Sequence, residues 1–229
     1  MFESHAYMKA PRWVQESFLS VRASARKLLR EGAAFRKELA DVTQTQWLGE
    51  QAMQELQLQR VRGMVSHAIR HVPYYRNLAR EKGLAPDCIQ TLADVEHLPF
   101  LTKQIVFDRG PTMLSEIARG PRFSACTSGT TGMSMTAYRA LHAINRENAF
   151  VWRCMIWAGL QPGEPRVWLR GDKIVSPTQE RPPFWRYVKA DNMLMMSSYH
   201  LSETSADSYI DAIEKLDPVV IQAYPSAVF

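Results

Sequence analysis

The chain has 229 residues, 46% of them apolar and 22% charged, which is enough to bury one good core or one domain with a helical appendage and excludes a largely disordered chain. A net charge of +5 leaves room for an anionic ligand, but Lys and Arg are scattered with no long basic block, so nucleic acid is not the expected partner. Cys88, Cys126 and Cys154 are far apart and lack metal-ligand spacing, and no run of apolar residues is long enough to cross a membrane; a cytoplasmic protein without disulfides or a transmembrane segment is expected.

From residue 12 to about 40, Val14, Phe18, Val21, Ala25 and Leu28 recur at alternating steps of four and three, with Arg22, Arg26, Lys27 and Arg30 on other faces. This predicts a basic amphipathic helix broken at Gly32, within a helical N-terminal segment of residues 1–50. Such a helix could lie on a membrane or on nucleic acid; packing on its own protein is the commoner outcome. From Gln51 to Val72, Met53, Leu56, Val61, Met64, Val65, Ala68 and Ile69 form another stripe, stopped by Pro73 and expected to be a principal core element of residues 51–229. His67 and His71 stand one helical turn apart, but no third ligand accompanies them, so a structural role is expected and no metal site is assigned.

"HVPYYRNLAREKGLAPDCIQTLADVEHLPFLTK" reads as short helices punctuated at Gly83 and Pro86, with Tyr74 and Tyr75 packing and Lys103 an exposed lysine more readily than a phosphate contact. Residues 141–158 predict a helix buried on two sides, with Leu141, Ile144, Val151, Met155 and Ala158 on one face and Phe150, Cys154 and Trp157 beside it. "RVWLRG" (166–171) is strand-like, and the proline-rich "SPTQERPPFW" after it suits a loop. A strand near 192–198, a helix through Ala206, Tyr209, Ile210, Ile213 and Leu216 capped by Ser202 or Thr204, and a strand at 218–225 make a βαβ unit, hence a mostly parallel α/β sheet.

Thr127, Ser128, Gly129, Thr130, Thr131 and Gly132 place four hydroxyls and two glycines in six uncharged positions. Period-two alternation continues through Met133, Met135 and Ala137, and "RFSAC" precedes, so strand, loop, strand is the simplest local structure. Glycines at positions 129 and 132 allow successive amides to converge on an anion, and the hydroxyls add donors, so a phosphate chain suits this loop. A polar hairpin tip would use the same residue types. Walker spacing is absent, since two residues and not four separate the glycines, and no Gly-x-Ser-x-Gly elbow makes Ser128 a nucleophile.

"TSGTTG" resembles the phosphate-binding signature of adenylate-forming enzymes. "RHVPYYRNLAREKGL", "LADVEHLPFLTK", "AGLQPGEPRVWLRG" and "DPVVIQAYPS" resemble, in order, landmarks of the phenylacetate–CoA ligase family and its relatives among capsular polysaccharide biosynthesis genes. The resemblance covers nearly everything after about residue 45. It implies that a substrate carboxylate attacks the α-phosphorus of ATP, that pyrophosphate leaves with Mg²⁺, and that the acyl group passes to a thiol such as coenzyme A. Thr127 to Gly132 would then steady the β- and γ-phosphates. Met133, Ser134 and Met135 follow where a lysine or other cation often stands in the wider superfamily.

The family's aromatic-Gly-x-Thr-Glu and Thr-Gly-Asp motifs and its C-terminal lysine do not occur in these residues, which read as the N-terminal part of a larger design. No catalytic residue is assigned, and the isolated chain is expected to be inactive in acyl-adenylate formation. The alternatives are an inactive homologue acting as an interaction module, or half of a split ligase completed by a second chain or by self-association.

Overall fold

A computed structural model describes residues 4–126 and 135–228. The chain divides into two compact units, Met1–Leu39 with Glu147–Phe229, and Ala40–Arg146. This division does not fall at residue 50: the first helices pack with the sheet formed at the far end of the sequence.

The first unit opens with α1 (His5–Lys9) and α2 (Arg12–Arg30), and α3 (Ala33–Thr45) follows the break at Gly32. The face of α2 that turns inward is not the stripe expected from the sequence. Gln15, Leu19 and Ala23 are buried, whereas Val21 is 70% exposed and Leu28 83%. The reason is polar. Gln15 Nε2 donates to the carbonyls of Tyr7 at 2.8 Å and Ala10 at 3.1 Å, while its Oε1 accepts from Nε of buried Arg186. A glutamine in the core is invisible to a count of apolar positions.

The ordered strands of the first unit are β3 (Arg166–Arg170), β4 (Trp185–Val188), β5 (Met193–Ser197) and β6 (Val220–Ala223), after the hairpin strands β1 (Arg122–Cys126) and β2 (Thr136–Ala140) of the second. Their spatial order is β4-β5-β3-β6, with β5, β3 and β6 parallel and β4 antiparallel on the edge. The predicted crossover is present: β5 leads through α8 (Ala206–Leu216) to β6, passing over β3. Ser205, not Ser202 or Thr204, occupies the cap position of α8. Strand β4 lay hidden in the sequence because its inward residue is Arg186.

Sheet parity assigns the two faces. Val167, Leu169, Leu194 and Met196 pack with Tyr209 of α8, whereas Trp168, Met193 and Met195 pack with Leu19 and Ala23 of α2. Helices thus cover both sides, as a parallel sheet requires. Side chains of α2 also satisfy the free edge of β4: the Tyr187 N–H donates to Glu16 Oε1 at 3.1 Å and the Lys189 N–H to Ser20 Oγ at 3.0 Å. That contact removes an exposed pairing edge.

In the second unit, α4 (Glu50–His71) and α5 (Pro73–Lys82) pack together, joined at Val72, with Pro73 at the start of α5. Gly83 ends α5 at φ 68°, a left-handed turn that glycine adopts without strain. Contrary to expectation, α4 contains no fully buried residue, and Met64 is 74% exposed. Its stripe is spent on the wall of an open cavity rather than on a core. Helix α6 (Lys103–Arg109) follows, capped by Thr102, whose hydroxyl accepts from the Ile105 N–H at 3.3 Å.

Helix α7 (Leu141–Trp157) buries Ile144, Asn145 and Ala149, but Phe150, Cys154 and Trp157 face solvent, so it is not buried on two sides. The Arg153 guanidinium lies over the rings of Phe150 and Trp157 at 4.9 and 4.8 Å, which lets these aromatics remain at the surface.

Three outcomes are expected. Met196→Ala, which empties a fully buried site, lowers unfolding free energy by about 2–5 kcal/mol in urea titrations, whereas Met64→Ala changes it by less than about 0.5. Gln15→Ala leaves the Arg186 guanidinium without its α2 partner and costs about 3 kcal/mol. Burial pushes the Tyr7 phenol up to about 12, its hydroxyl donating to the Ile174 carbonyl at 3.1 Å. The protonated form is therefore favoured by folding, so this stabilisation is complete below pH 10 and disappears as pH rises toward about 12. Stability measured across that interval should fall less steeply in Tyr7→Phe.

Candidate functional site

Strands β1 and β2 pair antiparallel from Arg122 opposite Ala140 to Cys126 opposite Thr136. The expected strand, loop, strand is thus formed by the residues that flank the glycine- and hydroxyl-rich segment. Thr127, Ser128, Gly129, Thr130, Thr131 and Gly132 themselves lie outside the described residues. At the mouth of the connection, Cys126 Sγ and Thr136 Oγ1 are 3.5 Å apart. Both chain ends of the segment therefore leave one end of one ladder.

The hairpin is a sheet of its own, separate from the four-stranded one. Cys126 and Thr136 are exposed at its open end, and Ala125 and Phe123 are half-buried. Cys88, Cys126 and Cys154 are free thiols. Lys103 is exposed at the first turn of α6, and no hydrogen bond or ion pair ties its side chain to another described residue. His67 and His71 lie 5.1 Å apart between ring centroids with their planes tilted by 55°, and among the described residues no three or more His, Cys, Asp or Glu side chains form a metal-binding group. Tyr74 and Tyr75 meet edge to face at 5.0 Å, as packing partners do.

The same unit holds an apolar cavity of 320 Å³. Met64, Ala68 and Ile69 of α4 form one wall, and Leu98, Pro99 and Leu101 another. The half-buried state of α4 is explained by this hollow.

A smaller recess of 180 Å³ lies in the first unit between α2 and the sheet. Trp168, Met193 and Met195 line its floor; Arg22, Arg26, Arg166, Asp172 and Asp191 bring charge to it. Asp191 is almost wholly buried and receives Arg26 at 2.7 Å and Lys27 at 3.2 Å. Asp172 accepts from the indole Nε1 of Trp168. Arg166 differs. Its Nε is shut away from solvent with no hydrogen-bond partner, and desolvation holds its guanidinium below the ordinary arginine range. Sequence reading missed this recess because its residues come from α2, β3 and the start of β5, which only the fold brings together. The one available signal was an arginine at each end of a short apolar strand, "RVWLRG".

No helix among the described residues is long and apolar enough to cross a membrane. No family model matches the chain. The chain is similar to Protein CapK of Staphylococcus aureus, with 28% identity over 174 residues, 76% of this chain and 38% of that protein. It is also similar to Phenylacetate-coenzyme A ligase of Aromatoleum evansii, 32% identical over 114 residues, 49% of this chain and 26% of the ligase. The corresponding ligase of Thermus thermophilus is 30% identical over 118 residues, 51% of this chain and 26% of its own length. The chain therefore spans between about a quarter and two fifths of the curated relatives it matches. Its α/β architecture and these partial matches make it a distant relative of the phenylacetate–CoA ligase and CapK proteins.

Proposed function

We propose that these residues form the phosphate-binding part of an ATP-dependent carboxylate-activating protein of the phenylacetate–CoA ligase type. In this reading the two units belong to the large domain of such a ligase, and Thr127 to Gly132 wrap the β- and γ-phosphates of ATP. The observation that carries it is the register of β1 and β2, which brings both ends of the hydroxyl-rich segment to one hairpin mouth. Partial similarity to named phenylacetate–coenzyme A ligases supports the same direction.

The chemistry follows from the loop's composition. Amides preorganised around a terminal phosphate stabilise the charge that grows on pyrophosphate as a carboxylate attacks the α-phosphorus. Mg²⁺ would supply further charge neutralisation, and coenzyme A or another thiol would be the acceptor. Among the described residues no cluster of metal-binding side chains is present, so no ligand to Mg²⁺ is assigned. The substrate is proposed as a small carboxylic acid.

A second reading is favoured by β6, a sheet edge beside which Val219, Ile221 and Val228 are all exposed. Such an edge suits pairing with another chain, either a second copy or a separate partner that completes the α/β domain, with no catalysis by these residues. Size-exclusion chromatography with light scattering separates the two: association that disappears in Ile221→Lys while nucleotide binding is retained would assign the edge to a partner.

For the first reading, the measurement is titration of the purified chain with ATP and with pyrophosphate, each with Mg²⁺. Saturable binding is expected, and Gly132→Val, which adds a branched side chain to the loop, should weaken it at least about tenfold. Absence of saturation by either ligand removes the phosphate-binding assignment.

A further inference from the structure

We propose that the recess between α2 and the sheet binds a small organic carboxylate, its oxygens held by Arg166 and its short apolar body seated on Trp168, Met193 and Met195. The site lies in the first unit, whereas the proposed phosphate loop belongs to the second, so this inference stands or falls separately.

The first support is an unfilled bonding capacity. A guanidinium carries five N–H donors in a planar fork that matches the two oxygens of a carboxylate. Arg166 uses none of them within the described residues: its Nε is buried without an acceptor, and its only close ring neighbour is Trp152, 5.8 Å from the guanidinium carbon to the ring centroid. A half-buried guanidinium whose Nε is enclosed without an acceptor is costly, and an anion entering the recess relieves the cost.

The second is that the neighbouring acids are already engaged. Asp191 is held by Arg26 and Lys27, and Asp172 by the Trp168 indole, so neither makes a hydrogen bond or ion pair with Arg166, although the charges of Asp191 and Glu31 act on it from farther away.

The third is size and wall chemistry. A volume of 180 Å³ falls below the roughly 300–1,000 Å³ of pockets for drug-sized ligands, which suits an acid of a few carbons and not a nucleotide. Floor residues Trp168, Met193 and Met195 offer no hydrogen bonds to a fully oxygenated anion, but they favour burial of a hydrocarbon body. Arg166 also sits on a fixed frame, paired across β3 with Met193 of β5 on one side and Val220 of β6 on the other.

The test is calorimetric titration of the full chain with butyrate, with its neutral isostere butyramide, and with inorganic phosphate. Saturable butyrate binding is expected, with butyramide, and any phosphate binding that Arg166→Met removes, at least about tenfold weaker. Arg166→Met should weaken butyrate at least about tenfold while circular dichroism stays unchanged. Ala23→Leu, which fills the recess from the α2 side and leaves Arg166 in place, should also abolish binding. The proposal is overturned if butyrate does not saturate, if phosphate binds as tightly as butyrate and loses that binding in Arg166→Met, or if either variant binds butyrate as well as the parent. Should Arg166→Met fail to fold, the ligand series and Ala23→Leu decide the matter.

Discussion

The architecture of the first unit depends on one buried polar contact, the hydrogen bond from Arg186 Nε to the Gln15 side chain. Arg186 is the inward residue of an edge strand, and burial there requires acceptors. It finds them in Gln15, in the carbonyls of Pro183 and Trp185, and in the Gln179 side chain. Satisfied in this way, a buried guanidinium is tolerable; deprived of them it would oppose folding. Because Gln15 stands on α2, the same contact settles which face of that helix meets the sheet.

Everything around that contact is consistent with it. Glu16 and Ser20, on the adjoining flank of α2, take the free N–H groups of Tyr187 and Lys189, so the strand that carries Arg186 is also the strand whose edge the helix closes. Arg26 and Lys27, farther along, converge on Asp191 just beyond the end of that strand. The polar residues of α2 thus form a row of attachments to one hairpin. The consequence for the domain plan is direct: the first forty residues are an integral layer of the sheet unit and not a separate basic appendage.

The two places where ligand chemistry concentrates have different physical bases. The proposal for the glycine- and hydroxyl-rich connection between β1 and β2 rests on backbone donors, and what the structure contributes is the ladder that brings its two flanking residues together. The proposal for the recess beneath α2 rests instead on a side-chain cation beside an apolar floor of Trp168, Met193 and Met195, where partial exclusion of water strengthens attraction to an anion. Partial similarity to phenylacetate–coenzyme A ligases supports the first proposal. It does not bear on the second, which rests on the burial of Arg166 and the surrounding volume.

Local pattern was enough wherever a residue's role is set by its near neighbours along the chain. Gly83 ends α5, Pro73 separates α4 from α5, Gly32 breaks the first long helix, and the spacing of strand, helix and strand at 193–223 produced the parallel crossover. The alternation on both sides of the hydroxyl-rich segment likewise foretold the hairpin. What only the tertiary structure decided was which of two usable faces each helix buries, and which distant side chains share a cavity. Val21 and Leu28 look like core by periodicity yet remain outside, because a buried glutamine makes bonds that an apolar side chain cannot. Burial is a relation between segments far apart in sequence, and polar groups enter a core only where such a segment supplies their partners; no single stretch of residues contains that information.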